Sequence, residues 1–251
     1  MAPATETESE TAHSGDEMSA SAEPAGSPES GDRSAQEPTP EILDQVRANL
    51  ADIVETVGEI ESVGAIETPA GWLFAFKARL QDDTEEPLYL AFALPTEEGH
   101  EVVAMDLGTT EFVPGAEFTT DLESFGGLQI DQGFVRGEFV LRSAGAEFAT
   151  DGECEERVQE PTTRTAFVLL CREMECRALA RERSIVEPGF EQDCDGAREP
   201  YVDMPETYSL DVAIEDEDHV RLTPTSGTSP WDQHGVVPLA DLSGEGLKRG
   251  I

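Results

Sequence analysis

From residue 39 the chain first repeats apolar residues at helical spacing and then changes to strict alternation. Ile42, Leu43, Val46, Leu50, Ile53, Val54 and Val57 recur at helical intervals, which places them on one stripe over about four turns. Thr39 is positioned to cap the start with a side-chain oxygen. Pro40 falls at the first helical position, where a missing N–H costs nothing, and Glu41 complements the helix dipole. Gly58 is the expected stop. The predicted helix spans 40–57. Its stripe is expected to pack on the domain's own sheet; the alternative is a partner-binding amphipathic helix.

From Ile60 the period is two. Trp72, Phe74, Phe76, Ala78 and Leu80 alternate with Leu73, Ala75, Lys77 and Arg79, and Leu88, Leu90, Phe92 and Leu94 alternate with Tyr89, Ala91 and Ala93. The polar stretch between them, Gln81 to Pro87, completes a hairpin signature. Further strands are predicted at Val102 to Leu107, Leu128 to Ile130 and Val135 to Leu141. Thr165 to Cys171 is apolar on both faces and is expected to be a doubly covered central strand, with Arg177 to Val186 pairing back on it. Leu210 to Ile214 and Val220 to Leu222 form a last pair. Short strands with Gly, Pro and Asp turns predict a mainly β fold: an antiparallel β-sandwich or barrel-like domain over 39–251, with one N-terminal amphipathic helix.

One segment echoes another. Gly115-Ala116-Glu117-Phe118-Thr119-Thr120-Asp121 recurs as Gly145-Ala146-Glu147-Phe148-Ala149-Thr150-Asp151. Two copies are too few for a solenoid, so the expectation is two equivalent strand-turn-strand units of one sheet.

Residues 1–38 contain no aromatic residue, Leu, Ile or Val. Burial there cannot offset the entropy of ordering, which predicts a disordered acidic tail. It has neither the basic start nor the apolar run of a signal peptide. Two expectations stand side by side: a spacer of the kind that follows a removed signal or lipid anchor, and a cytosolic tail.

Charge narrows the partners. The chain has 54 acids against 16 bases, a formal net charge of −38. The tail holds nine acids and Arg33, a net of −8, so the remaining −30 belongs to the body. Nucleic acid is excluded as a partner class, because affinity there comes from cations on phosphates, and an anionic membrane surface is repelled. No apolar run approaches the roughly 18 residues of a membrane span. The expected partner is a protein or an envelope component. Acids spread over the whole body also fit a salt-adapted organism.

The four cysteines, Cys154, Cys171, Cys176 and Cys194, lie in the last two-fifths of the chain. Cys171 and Cys176 flank Arg172 to Glu175, which reads as a hairpin loop. Opposed residues in a hairpin keep a constant index sum, and Cys154 with Cys194 nearly matches that of Cys171 with Cys176. Nested bridges Cys171–Cys176 and Cys154–Cys194 follow, stapling the hairpin region 154–194, provided that Pro161 and Pro188 do not bend the flanks apart. The alternatives are free buried thiols and a Cys₄ zinc site, but zinc sites favour two short Cys-x₂₋₄-Cys knuckles, and the chain has one Cys-x₄-Cys. Disulfides imply an extracytoplasmic setting, whether periplasmic, lipid-anchored or secreted; reduced thiols imply the cytoplasm.

Chemistry-bearing motifs are sparse. Asp193, Asp195, Glu199 and Asp203 suggest a calcium turn, although the spacing fails an EF-hand register; the alternative is a polar turn beside a cystine. His234 and Asp232 share a loop without a third group to build a dyad. The chain has no Gly-x-Ser-x-Gly, phosphate-cradling loop or His-Glu-x-x-His. Arg177, Arg181 and Arg183 fall on one predicted strand face, where they could contact a carboxylate or anionic sugar or pair with the chain's own acids. No residue is assigned a catalytic role, and no metal or cofactor is expected. The reading is a non-enzymatic cell-envelope or secreted module with a binding or structural role. The alternatives are a cytosolic acidic interaction protein of a salt-adapted organism and a hydrolase whose site leaves no motif.

Overall fold

The structure is a computed structural model and describes residues 36–53, 56–80, 85–150, 155–172, 175–227 and 235–241. The acidic tail up to residue 35, Val54, Cys154 and the loop carrying Asp232 and His234 lie outside the described residues.

Helix α1 spans Pro40–Ala51. Thr39 stands at its N-cap, but its hydroxyl makes no cap to the backbone and meets the Glu41 carboxylate instead; the N–H groups of Ile42 and Leu43 donate to its carbonyl at 3.1 and 3.2 Å. The helix ends six residues before the predicted 57. Asp52 is its C-cap, and Val57 and Gly58 already belong to the first strand, where Val57 pairs with Leu80. Ile53 and Val57 continue the apolar spacing, but Ile53 lies in the turn after the helix and Val57 is taken up by strand pairing. Ile42, Val46 and Leu50 remain as the buried stripe.

Among the described residues, fourteen strands form one antiparallel sheet. They are β1 (Val57–Thr68), β2 (Gly71–Leu80), β3 (Glu85–Thr96), β4 (Gly99–Val113), β5 (Ala116–Asp131), β6 (Phe134–Thr150) and β7 (Glu155–Gln159). They continue as β8 (Thr162–Arg172), β9 (Glu175–Glu187), β10 (Phe190–Gln192), β11 (Arg198–Pro200), β12 (Tyr208–Ile214), β13 (His219–Gly227) and β14 (Gly235–Pro238). The main path runs β1-β2-β3-β4-β5-β6-β8-β9-β12-β13-β14, while β7 pairs with β6 and β10, and β10 with β11.

The sheet folds into layers because its strands carry apolar residues on both faces. One face of β2 and β3, with Leu73, Ala75, Leu88, Leu90, Phe92 and Leu94, packs against Leu122, Phe139, Leu141 and Leu169 of β5, β6 and β8. The opposite face, with Phe74, Phe76, Ala91 and Ala93, is covered by α1 through Ile42, Val46 and Leu50. The far face of β8 and β9, with Val168, Leu170 and Leu179, is covered by Val212, Ile214, Val220 and Leu222 from β12 and β13. The corner between the first two layers lies at β4 and β5, which pair only over Glu111–Val113 and Ala116–Phe118. The predicted doubly covered strand is β8, with Leu169 facing one core and Val168 and Leu170 the other.

The echoed segments are neighbours. Residues 116–121 pair antiparallel with 142–147, with Phe118 opposite Gly145, and the Phe148 N–H donates to the Gly115 carbonyl at 2.6 Å. The two copies are thus neighbours on β5 and β6, with their phenylalanines, Phe118 and Phe148, on opposite faces of the sheet.

Candidate functional site

The β8–β9 hairpin has the predicted tip. Cys171 and Cys176 are directly opposed and joined by a disulfide, with Arg172 opposite Glu175 beyond them. Cys171 is 2% exposed and belongs to the main core, so the bridge closes the end of a packed layer. No described cysteine is free; the predicted Cys154–Cys194 pair involves a residue outside the described set. The flanks stay together as that pair requires. Phe190, Glu191 and Gln192 of β10 pair with Gln159, Val158 and Arg157 of β7. The two arms are interrupted at Pro161 and Pro188 and resume pairing beyond them, Thr162 opposite Glu187 and Gln159 opposite Phe190. Gly189 makes this possible: a β-carbon there would lie 2.4 Å from the Gln159 carbonyl oxygen and 2.7 Å from Pro161 Cδ.

Arg177, Arg181 and Arg183 do not share a face. The β8–β9 register shifts between Ala166 and Phe167, leaving Arg181 as the extra residue of a bulge. Arg177 lies opposite Leu170 and Arg183 opposite Thr165, positions of opposite parity on an unbroken β8, hence on opposite faces. Each guanidinium is engaged within the protein. Arg177 donates to the Leu239 carbonyl and lies 3.4 Å from Glu175. Arg181 pairs with Glu138 at 3.2 Å. Arg183 donates to Thr165 at 3.4 Å and lies over the Tyr208 ring.

A cleft of about 400 Å³ opens at the hairpin tip between Phe134, Leu170, Arg172 and Leu239. Its cations are also engaged: Arg172 donates to the Glu217 carbonyl and reaches its carboxylate at 2.9 Å. It is an apolar dip rimmed by ion pairs.

The predicted calcium residues are not brought together. Asp193 accepts the N–H groups of Asp195 and Ala197 at 3.0 and 2.8 Å and closes its own loop. Glu199 pairs in β11 with Glu191. Asp203 lies on a different surface. Among the described residues no three His, Cys, Asp or Glu side chains gather as a metal set.

That different surface is a second cleft, of about 370 Å³, where the main core face runs out into polar residues. Its floor consists of two cross-strand rows. Phe118 of β5 is opposite Gly145 of β6, with Glu160 alongside; Thr120 of β5, Ser143 of β6 and Thr163 of β8 form the next row. Gly145 is buried beneath Phe118 and Glu160, which fill the space over it. A β-carbon there would lie 2.6 Å from Glu160 Oε2 and 2.8 Å from Phe118 Cδ1. Tyr201 and Asp203 bound the cleft on the other side, and the Tyr201 N–H donates to the Gly189 carbonyl at 3.2 Å, which ties this wall to the interruption of the hairpin arms.

The polar groups here are not consumed by the fold. Among the described residues, the Thr163 and Tyr201 hydroxyls and the Glu160 and Asp203 carboxylates form no side-chain hydrogen bond or ion pair. Thr120 and Ser143 hydroxyls approach only to 3.5 Å, beyond ordinary O–H···O distance. Partial desolvation, then the carboxylates of Glu160, Asp203, Glu147 and Glu191, hold the Tyr201 phenol above its ordinary value, so it remains a hydroxyl donor. Sequence reasoning singled out Asp203, for another role, and Phe118 and Gly145, only as parts of an echo. The cleft joins segments around 118, 143, 160 and 201, a conjunction that no local pattern encodes.

A third polar group lies at the β2–β5 contact. Lys77 Nζ and Arg79 Nη2 both meet Asp121 Oδ1, at 2.9 and 3.0 Å. Desolvation acts to raise the Asp121 carboxyl, but Lys77, Arg79 and the Leu122 N–H outweigh it and hold it below its ordinary value. Compared with protein-family models, curated proteins and solved structures, the chain matches none of them.

Proposed function

We propose that the chain is a non-enzymatic binding module that works outside the cytoplasm, in the cell envelope or as part of a secreted protein. The observation that carries this reading is the Cys171–Cys176 bridge across directly opposed strands, because structural disulfides persist in oxidising compartments. The cleft with unengaged hydroxyls and carboxylates supplies a surface for binding. No helix among the described residues is long and apolar enough to cross a membrane. The test is alkylation of the denatured, unreduced protein isolated from its own cells, followed by peptide mapping. Unmodified Cys171 and Cys176, linked in one peptide pair, support the reading; alkylation of both removes its basis.

The charge favours a second reading, a cytosolic acidic interaction protein of a salt-adapted organism. A net charge of −38 repels itself, and counterions screen that repulsion. This reading expects reduced cysteines and stability that rises steeply toward molar salt. Urea midpoints in low and molar sodium chloride, measured beside the alkylation, separate the two.

A further inference from the structure

We infer that the cleft between the Phe118–Gly145–Glu160 row and the Tyr201–Asp203 wall binds a neutral saccharide. This deepens the binding-module reading, rests on it for the absence of turnover, and is independent of the compartment.

The argument starts from the floor. Three hydroxyls, those of Thr120, Ser143 and Thr163, lie in register across three neighbouring strands. None is taken up by a short hydrogen bond within the described protein. Unengaged polar groups that converge in one concavity are the usual mark of a ligand site. The remaining lining determines which ligand. Glu160 and Asp203 only accept when ionised, Tyr201 stays a donor, and the Ser and Thr hydroxyls do both. A sugar hydroxyl also donates and accepts, so it is matched by both kinds of group at once.

Phe118 supplies the apolar component. Its ring packs over Gly145 beside Glu160 Oε2 and lines the cleft together with that carboxylate, so the C–H face of a pyranose seated in the cleft can meet the ring while the sugar's hydroxyls reach Glu160. The volume of about 370 Å³ lies near the lower end of the roughly 300–1,000 Å³ of small-ligand sites, and suits a short saccharide.

Charge excludes the competitors. An anionic sugar or phosphate is repelled, because among the described residues the lining carries two carboxylates and no cation. A cation is attracted, but a chain with 54 acids attracts it at many places. What distinguishes this cleft is the row of hydroxyls and the aromatic ring, and a simple cation makes no use of either.

The test is a ¹H–¹⁵N NMR titration of the full chain with a panel of neutral disaccharides: maltose, cellobiose, lactose and di-N-acetylchitobiose. Spermidine is the cationic control. At least one sugar is expected to shift the amides of residues 118–120, 143–145 and 201–203 saturably. Ser143→Ala and Asp203→Asn should each weaken that binding about five-fold or more while leaving the remaining spectrum in place. Asp203 is an exposed residue outside any strand, so its variant separates lost binding from lost folding. Three outcomes overturn the inference: no sugar shifts these amides, spermidine alone shifts them, or the two variants bind like the parent. Chromatography of the sugars after incubation keeps the two proposals apart. Cleavage refutes the non-enzymatic reading and leaves saccharide recognition standing. A spermidine-only response refutes saccharide recognition and leaves the binding module standing.

Discussion

Replacing Gly189 by alanine tests whether the close approach of Gly189 to Gln159 and Pro161 holds the polar cleft. The added β-carbon would lie 2.4 Å from the Gln159 carbonyl oxygen and 2.7 Å from both Pro161 N and Cδ. Ordinary nonbonded contact is about 3.5 Å, so a rigid backbone segment must recede by about 1 Å. Overpacking of this kind costs about 1–3 kcal/mol. The displacement also disturbs the Phe190–Gln192 ladder with β7, at about 0.5–1.5 kcal/mol for each hydrogen bond lost. Reduced freedom of the unfolded chain returns about 0.4–1 kcal/mol. The net expectation is a loss of about 3 kcal/mol, or a drop of about 1.5 M in urea midpoint at a slope near 2 kcal/mol/M. Gly127, where an added β-carbon meets nothing within 4 Å, is the control and should change by no more than about 1 kcal/mol. Because the Gly189 carbonyl accepts the Tyr201 N–H, the Tyr201 amide resonance should move as well. A Gly189→Ala protein within about 0.5 kcal/mol of the parent, with an unmoved Tyr201 amide, would refute the reasoning.

Removing the tip bridge with a Cys171→Ala/Cys176→Ala pair should lower stability by about 2 kcal/mol, the chain-entropy value for so short a loop; urea unfolding of parent and variant measures it. Leu50→Ala, at a fully buried helix position, should cost about 2–5 kcal/mol, whereas Ile53→Ala, beyond the helix end and 36% exposed, should cost less than about 1 kcal/mol. Similar losses at both sites would contradict the observed helix end. Asp121→Asn should destabilise the protein at neutral pH by up to about 1 kcal/mol, since the Asp121 side chain is 57% exposed and solvent screens its pairing. The folded carboxyl titrates below its ordinary 3.8, so its contribution is complete above that value and is lost as pH falls through the folded one. Parent and variant should therefore differ fully at pH 6 and converge below pH 3.8. A difference that persists in stronger acid would show that ionisation of Asp121 is not its source.

The period-two pattern made the architecture legible because alternation is a property of single strands. Leu88, Leu90, Phe92 and Leu94 face one core, and Ala91 and Ala93 the other, as their parity requires. The hairpin tip was legible for a similar reason: the index sum through Cys171 and Cys176 is local geometry. Errors arose where one residue changes the register. The bulge at Arg181 moves Arg183 to the opposite face from Arg177, and no sequence signal marked it. The helix was overextended because Ile53 and Val57 satisfy a 3.6 period by chance, while Val57 is claimed by its partner Leu80. The polar cleft was hidden for a different reason. Thr120, Ser143 and Thr163 become neighbours only through two successive ladders, and Tyr201 arrives by way of Gly189.

The echo between 115–121 and 145–151 takes on meaning in that setting. Phe118 lies directly opposite Gly145, and Phe148 is three residues further along the strand of Gly145, an odd step, so the two rings fall on opposite faces of the sheet. Phe118 is on the face that carries Leu122 and Leu141 into the main core, where it packs against Gly145 and lines the polar cleft. On the other face Arg157 from β7 lies over the Phe148 ring and also faces Phe190, whose far contact is Arg198. There the aromatic surface is covered by guanidinium groups and contributes to holding β7, β10 and β11 together. Repetition in sequence therefore does not give repetition in surface: the pairing register puts one copy's ring at the edge of the core, beside the polar cleft, and the other's under two arginines.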